Sequence, residues 1–225
     1  MKPSRAAAGE SDGAGGGVDL ADVQKTFDAW APAYNPTHGW TLPRRRAARL
    51  ALGLQPGDRV LDLACGTGLN FPHLRQLVGE RGQVTGVDLS PRMLDVARIL
   101  IARRGWGNVE VRQADAAQLP FADETFDKAL CSFAMNIIPD YMRAIREVRR
   151  VLVPTGRFVS LEVRPILHSL PYLWRVCAVD MSHDVLGGLR EVFDEVQVSR
   201  AWLGVILIAV CFRPAPMRRD LEAKP

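Results

Sequence analysis

Long hydrophobic runs are missing from this 225-residue sequence. The longest, from Val205 to Phe212, is far shorter than the roughly 20 residues that a membrane-spanning helix requires. The segment 1–17 is rich in Ala, Gly and Ser and holds no apolar core of the kind that a secretory signal carries. We therefore expect no transmembrane segment, no export and a cytoplasmic location.

Cysteine and lysine are also scarce. The four cysteines, Cys65, Cys131, Cys177 and Cys211, are isolated and have no histidine at metal-ligand spacing, which argues against a zinc site and a disulfide scaffold. All but four of the 29 basic residues are arginines, and the net charge of +4 is not concentrated in the stripe that nucleic-acid binding requires. We therefore expect no metal and no nucleic-acid partner.

The one dense basic run lies between Arg44 and Arg49. Its simplest interpretation is a solvated helix face. Because Leu42, Leu50 and Leu54 lie beside it at helical spacing, contact with an anionic membrane surface or an anionic substrate is the alternative.

The length is typical of about one domain, and composition divides the chain into four segments. We expect a disordered arm at 1–17, a helical cap at 18–55, one α/β domain at 56–213 and a flexible tail at 214–225. In the cap, apolar spacing predicts a helix over 18–30, an aromatic-rich loop over 31–43 and a second helix over 44–52.

The segment 56–213 alternates short β-rich runs with helical windows. Strands are predicted at 59–63, 83–87, 109–113, 126–133 and 156–163, and helices at 69–79, 91–103 and 140–152. This alternation is typical of a doubly wound α/β fold whose parallel sheet is covered on both faces. The last two runs, 192–202 and 205–211, predict a hairpin, so that one edge of the sheet should carry an antiparallel strand.

The segment from Val60 to Asn70 runs from an apolar strand through a turn of small residues into a helix. Backbone N–H groups at such a helix start face the carboxyl end of the sheet, where these folds bind ligands. Asp88 closes the second strand, where a carboxylate can accept hydrogen bonds from both ribose hydroxyls. Asp115, after the third strand, could accept from an exocyclic amine such as that of adenine. These features predict an adenosine-containing ligand.

Two cofactors fit an adenosine site of this kind. A nicotinamide cofactor is disfavoured because Phe71 stands where the third small residue of the turn belongs, and because Asp62 would point a carboxylate toward a phosphate. A cofactor with an α-amino group, a carboxylate and a sulfonium fits better, since Asp62 can meet the ammonium and the helix N-terminus can meet the carboxylate.

Five segments carry a resemblance to a known family, namely VLDLACGTG at 60–68, VGERGQVTGVDLSPRML at 78–94, GNVEVRQADAAQLPFADETFD at 107–127, SFAMNIIPD at 132–140 and REVRRVLVPTGRFVSLEVRP at 146–165. With these segments the sequence resembles the class I S-adenosylmethionine-dependent methyltransferases, and is most similar to the ubiquinone/menaquinone-biosynthesis group and related small-molecule methyltransferases. It implies a Rossmann-like seven-stranded sheet, mostly parallel with the last strand antiparallel, and S-adenosyl-L-methionine as cofactor. The implied cofactor contacts are Asp62, Ala64, Gly66, Thr67, Gly68, Asp88, Leu89, Met93, Asp115, Ala116 and Ser132.

Several positions depart from the quinone group. That group has an arginine where this chain has Asn136 and an asparagine where it has Ile137, and Thr155 replaces the first Gly of its Pro-Gly-Gly turn. The segment 165–188 is also shorter than the region that covers the substrate in those enzymes. These differences argue against a quinone ring as the acceptor.

The candidate catalytic residues are Tyr34, Asn136 and His183. Tyr34 and Trp40 of the cap, with Tyr172 and Trp174, could form a lid around a flat or cationic acceptor, or simply pack the cap against the core. Asn136 could orient the acceptor or cap the next helix. Weaker candidates for contact with the acceptor are His38, His168, Asp184 and Glu162.

The predicted function is in-line methyl transfer to a small-molecule acceptor, with N- or O-methylation slightly favoured over C-methylation. The first alternative is a phospholipid N-methyltransferase of the phosphatidylethanolamine type, which the arginine-rich helix would support by contact with anionic lipid. The second is a non-catalytic subunit that binds the cofactor and supports a partner.

Overall fold

Strands and helices alternate through most of the chain, as the sequence predicts. The computed structural model describes residues 19–38, 41–163, 180, 182–201 and 204–213. The strands are β1 (Arg59–Leu63), β2 (Gln83–Asp88), β3 (Val109–Gln113), β4 (Phe126–Ser132), β5 (Leu152–Val163), β6 (Glu195–Ala201) and β7 (Ile206–Phe212). The α-helices are α1 (Leu20–Trp30), α2 (Tyr34–His38), α3 (Leu42–Ala51), α4 (Phe71–Val78), α5 (Pro91–Arg104), α6 (Tyr141–Val151) and α7 (Val185–Val192).

The seven strands form one sheet in the order β3-β2-β1-β4-β5-β7-β6. Strands β3, β2, β1, β4 and β5 are parallel to one another. The chain winds outward from β1 to β3 on one side and then resumes with β4 on the other, so that a crevice opens at the carboxyl ends of β1 and β4. Ligands of open α/β sheets bind in such a crevice, which is where the candidate cofactor residues lie. The Rossmann-like class predicted from the sequence is confirmed.

The antiparallel strand is β7, which lies between β5 and β6 and pairs with both. The predicted hairpin at the sheet edge and the antiparallel last strand are confirmed, and within the hairpin it is β6 that forms the edge. The sequences of β6 and β7 explain why β7 lies inside the sheet and β6 at its edge. Apolar side chains fill β7 (ILIAVCF), as expected of a strand flanked by neighbours on both sides, whereas β6 (EVQVSRA) alternates apolar with polar residues and suits an edge.

Two apolar layers cover the sheet, one on each face. On one face Val60 of β1 packs in a buried cluster with Leu74 of α4 and Leu94 of α5. On the other face Leu61 belongs to a cluster with Ile145 of α6. Neighbouring strand residues thus bury opposite faces, which is the alternation that a sheet covered on both sides requires.

The cap is more helical than the sequence predicts. A 3-10 turn at Ala31–Ala33 and α2 occupy most of the expected loop 31–43, and α3 begins at Leu42. Two of the three prolines in this segment, Pro32 and Pro43, lie in the first turn of a helix. Proline is tolerated there because the first N–H groups of a helix have no intrahelical partner.

Several sequence predictions lie outside the described residues. They concern the arm 1–17, the tail 214–225, Trp40, His168, Tyr172, Trp174 and Cys177. None of the helices in the described part of the chain is long and apolar enough to cross a membrane. In those same ranges no group of three His, Cys, Asp or Glu side chains is arranged to hold a metal ion.

Candidate functional site

A cavity opens at the carboxyl ends of β1, β2, β3 and β4. Eight of the eleven predicted cofactor residues line it, namely Ala64, Gly66, Asp88, Leu89, Met93, Asp115, Ala116 and Ser132. Cap residues Leu20, Val23, Phe27 and Tyr34 form the opposite wall.

Asp88 fixes the turn after β1. One carboxylate oxygen accepts a hydrogen bond from the N–H of Gly66 at 2.7 Å, and the other accepts from the N–H of Ser90 at 2.9 Å. Burial raises the pKa of Asp88 to about 6, although these backbone hydrogen bonds oppose the rise. Gly68 supplies the tight part of the turn, since a Cβ there would lie 2.5 Å from the ring of Phe71.

The cavity lining suits an adenosine. Asp88 and Asp115 place two carboxyl groups at the ends of neighbouring strands, where they can accept from hydroxyl and amine hydrogens. Leu89 and Met93 add apolar surface for the faces of a base. Asp115 is held in place because its Oδ1 accepts a 2.9 Å hydrogen bond from the N–H of Ala117. The residues present therefore fit the cofactor that the sequence predicts.

The other three predicted cofactor residues, Asp62, Thr67 and Gly68, do not line the cavity. Asp62 is fully buried, and its two oxygens accept from Nδ2 of Asn70 at 3.0 and 3.2 Å. Burial raises the pKa of Asp62 to about 7, while the Asn70 hydrogen bond and two nearby arginines lower it. Thr67 donates from its hydroxyl to Oδ1 of Asn35 in α2 at 2.5 Å, which ties the turn to the cap.

The arginine run does not form one solvated face. Arg45 and Arg49 of α3 are buried, and the interpretation of the whole run as solvated is wrong for these two. Arg45 donates from Nε to Oγ1 of Thr41 at 3.0 Å, and Arg49 donates from Nη1 to Oδ1 of Asn70 at 3.4 Å. Their spacing of four residues, with Ala48 buried between them, turns both inward toward Asp62.

Asn70 and the two buried arginines were not predicted as site residues. Asn70 connects Asp62 to Arg49 and lies 3.4 Å from the hydroxyl of Ser132. The available signal was the i, i+4 spacing of the two arginines, shortly before a strand whose next-to-last residue, Asp62, is acidic. Because the run from Arg44 to Arg49 is dense in charge, a solvated helix face was the simpler interpretation.

Tyr34 lies at the start of α2 and lines the cofactor cavity. A Cβ on Gly66 would lie 3.9 Å from the Tyr34 ring, so the ring lies over the turn after β1. The ring stacks on His38 with centroids 3.9 Å apart. Burial raises the pKa of the Tyr34 hydroxyl, and the neighbouring Arg45 opposes that rise.

The remaining catalytic candidates, Asn136 and His183, line a second cavity between β5, β7 and α7. Ser160, Glu162 and Arg200 also line it. Asn136 belongs to the loop 133–137 that follows β4. The same loop contributes Ala134 and Ile137 to the cofactor cavity and thus separates the two spaces.

Glu162, near the end of β5, fixes this loop. Its carboxyl group accepts from the hydroxyl of Ser160 at 2.8 Å, the N–H of Met135 at 3.4 Å and Nδ2 of Asn136 at 3.3 Å. Burial raises the pKa of Glu162 to about 8, against the lowering effect of these hydrogen bonds. Asn136 therefore does not cap the next helix, a role taken by Asp140, whose Oδ1 accepts from the N–H of Arg143.

Comparison with known proteins identifies relatives over most of the chain. A family model described as a methyltransferase domain matches residues 60–156. A demethylmenaquinone methyltransferase of Geobacillus kaustophilus is 35% identical over 179 residues, which cover 77% of this chain and 76% of that protein. A ubiquinone/menaquinone biosynthesis C-methyltransferase of Teredinibacter turnerae is 43% identical over 119 residues, covering 52% of this chain and 48% of the relative.

Solved structures share the fold at lower identity. Phosphoethanolamine N-methyltransferase 2 of Haemonchus contortus, in complex with S-adenosylmethionine, superposes with a TM-score of 0.74 at 17% identity. The match covers 88% of this chain and 61% of that chain. At this identity the likeness supports the fold alone.

Proposed function

We propose that this chain, which belongs to the class I S-adenosylmethionine-dependent methyltransferases, methylates a ring carbon of a small hydroxylated aromatic acceptor of the quinol type. The observation that carries the proposal is the similarity to demethylmenaquinone methyltransferases over most of both chains. The expected preference for N- or O-methylation is not supported, since the name of the second relative specifies C-methylation. At the positions of Asn136 and Ile137 the quinone group has other residues. We therefore propose a class of acceptor and not one particular quinol.

The residues of the first cavity would hold the cofactor. In this proposal Asp88 takes the ribose hydroxyls and Asp115 the adenine amine, while Leu89 and Met93 cover the base. Asp62 does not line the cavity, so in this proposal it acts on the cofactor ammonium through its charge near the end of β1 and not by direct contact. When bound, S-adenosylmethionine supplies an electrophilic methyl group on a sulfonium.

The chain accelerates the transfer chiefly by positioning. In-line displacement requires the nucleophile and the methyl group at near-attack distance, and fixed geometry of this kind lowers a barrier by up to roughly 7–11 kcal/mol. The loop 133–137 lies between the two cavities and is held by Glu162. The cap closes the opposite side with Tyr34, which limits the access of water to the reacting groups.

Product analysis tests this proposal directly. The protein is incubated with methyl-deuterated S-adenosylmethionine and 1,4-dihydroxynaphthalene, which a reductant keeps in the quinol form. We expect a product whose deuterated methyl group is assigned by NMR to a ring carbon. A methyl ether would overturn the choice of carbon. Tight cofactor binding without transfer to this acceptor or to a cell extract would overturn the enzyme proposal in favour of the non-catalytic subunit.

An exposed stripe on α3 favours a second candidate, the phospholipid N-methyltransferase. Leu42 is 40% exposed and Leu50 is 63% exposed, and the exposed Arg46 lies between them at helical spacing. Apolar and basic side chains on one helix face suit the surface of an anionic membrane. Co-sedimentation with phosphatidylglycerol vesicles that is lost at high salt, together with N-methylation of phosphatidylethanolamine, would support this candidate. Transfer to 1,4-dihydroxynaphthalene alone would exclude it.

A further inference from the structure

Two buried guanidinium groups of α3 have no carboxylate partner. Arg45 is 4% exposed and Arg49 is 3% exposed, and neither forms an ion pair with an acidic side chain in the part of the chain that the structure describes. The charge of Asp62 acts on both, but its two oxygens accept from Asn70 instead. Burying a charge is costly unless it is paired. Two cations beside one carboxyl group therefore favour the binding of an anion.

Arg45 lies directly behind the wall of the cofactor cavity. Its guanidinium carbon lies 5.3 Å from the centre of the Phe133 ring, and the group donates a hydrogen bond to the Tyr34 hydroxyl. Phe133 and Tyr34 both line the cavity. Arg49, in contrast, donates to Asn70 and lines a groove between α3 and α4. Arg45 is therefore the cation that can act on a ligand of this cavity.

Two contacts hold Tyr34 over the turn that follows β1. Its ring stacks on His38 with centroids 3.9 Å apart, and its neighbour Asn35 accepts a 2.5 Å hydrogen bond from the hydroxyl of Thr67. Burial raises the pKa of Tyr34, so its hydroxyl keeps its hydrogen at neutral pH. Because the oxygen accepts from Arg45, the hydrogen is directed away from that cation and can be donated to a group in the cavity.

The start of α4 offers less to an anion than the sequence predicts. Phe71 donates its N–H to the carbonyl oxygen of Gly68 at 3.0 Å, and Pro72 has no N–H. The N–H of His73 donates to the carbonyl oxygen of Asn70 at 3.1 Å. The first three residues of this helix therefore have no N–H left for the cofactor carboxylate, which was expected to bind there.

We propose that Tyr34 binds the carboxylate of the cofactor's amino-acid part through its hydroxyl, and that Arg45 positions this hydroxyl and supplies the positive charge behind it. A hydrogen bond to an ionised acceptor is about twice as strong as one between neutral groups. The ammonium and the carboxylate of the cofactor then each have a residue of opposite charge near the end of β1, Asp62 and Arg45. The inference rests on the proposed function only in assigning the first cavity to S-adenosylmethionine, and it is independent of the acceptor.

The experiment compares two ligands that differ in the carboxylate alone. S-adenosylmethionine and decarboxylated S-adenosylmethionine both carry the adenosine, the sulfonium and an ammonium. Calorimetry measures the binding of each to the wild type, to Tyr34→Phe, to Arg45→Gln and to Arg46→Gln, a matched control at the next, exposed arginine of α3. Thermal melts show which proteins are folded. Tyr34→Phe removes one oxygen atom and keeps the aromatic ring, so it decides the question if Arg45→Gln does not fold.

We expect Tyr34→Phe and Arg45→Gln to weaken the binding of S-adenosylmethionine by about tenfold or more, the usual effect of losing a hydrogen bond to a charged group. Decarboxylated S-adenosylmethionine should bind these two variants within about twofold of its affinity for the wild type, because the group that Tyr34 would hold is missing. Arg46→Gln should bind both ligands like the wild type.

The two ligands also separate this inference from the proposed function. If the wild type binds neither of them, the assignment of the cavity to the cofactor fails and the inference fails with it. If the wild type binds both and Tyr34→Phe weakens both equally, the role of Tyr34 is structural and the inference alone is overturned. Wild-type affinity of folded Tyr34→Phe for S-adenosylmethionine would also overturn it, and a rise only in the KM of the acceptor would then assign the hydroxyl to an acceptor oxygen.

Discussion

Ser90 donates a 2.6 Å hydrogen bond from its hydroxyl to Oδ1 of Asp28, and this contact joins the cap to the wall of the cofactor cavity. The same hydroxyl oxygen accepts from the N–H of Met93 and thereby caps the N-terminus of α5. One side chain therefore stabilises the helix that carries Met93 and also orients α1 over the cavity. Substitutions at Ser90 or Asp28 should therefore change both the affinity for the cofactor and the packing of the cap on the core.

Ser90→Ala should lower the free energy of unfolding by about 1–2 kcal/mol, the usual cost of losing an N-cap. Asp28→Ala should cost less, because it removes the bond between cap and core but leaves the N-cap intact. Both variants should weaken S-adenosylmethionine binding. Chemical denaturation and calorimetry provide the two measurements. An Asp28→Ala variant that binds the cofactor like the wild type would show that α1 does not help to form the site.

Asn70→Ala should destabilise the fold by roughly 1–3 kcal/mol, because the buried Asp62 then loses the donor shared by its two oxygens. Gln76→Ala in α4, the helix that follows Asn70, is the control, since Gln76 is exposed. Urea denaturation of the three proteins measures the difference. Equal stability of Asn70→Ala and Gln76→Ala would mean that the Asp62–Asn70 contact contributes nothing to the folded state.

Glu162 makes stability depend on pH. Burial raises its pKa from the ordinary 4.5 to about 8, so between these values the folded chain holds a proton that the unfolded chain has lost. The free energy of unfolding therefore falls as pH rises from about 5 to 8. Asp62 and Asp88, whose pKa values are also raised, act in the same direction.

Glu162→Gln removes one of these titrating groups. Between about pH 5 and 8 the free energy of unfolding of this variant should therefore fall by roughly 1–3 kcal/mol less than that of the wild type. Glu80→Gln, at a side chain that is 87% exposed, should keep the wild-type slope. Denaturation curves at several pH values give both slopes. A Glu162→Gln slope equal to that of the wild type would show that the buried carboxyl does not take up a proton on folding.

The fold and most of the cofactor cavity could be predicted because they depend on local patterns. Alternating apolar runs located the strands, and the turn from Ala64 to Gly68 with the following acidic residues located the crevice. The boundary between α6 and β5 was less clear. The strand begins at Leu152, four residues before the predicted Gly156, since Pro154 disfavours helix in the residue before it and the chain is already extended at Leu152.

Features set by contacts between distant segments could not be predicted. The burial of Arg45 and Arg49 depends on how α3 packs near Asp62, and the position of β7 inside the sheet depends on long-range strand pairing. The placement of Asn136 and His183 in a cavity separate from that of Tyr34 has the same origin. The spacing of residues in the sequence does not determine on which side of the loop 133–137 each of them lies.

Calorimetric titration with S-adenosylmethionine tests the central claim, that the cavity built around Asp88 is the cofactor site. The wild type is compared with Asp88→Ala and with Asp95→Ala, a control at a side chain that is 67% exposed on α5, after thermal melts show that all three proteins are folded. We predict that Asp88→Ala weakens binding by more than about tenfold, or roughly 1.4 kcal/mol, and that Asp95→Ala binds like the wild type. Wild-type affinity in a folded Asp88→Ala protein would contradict the account.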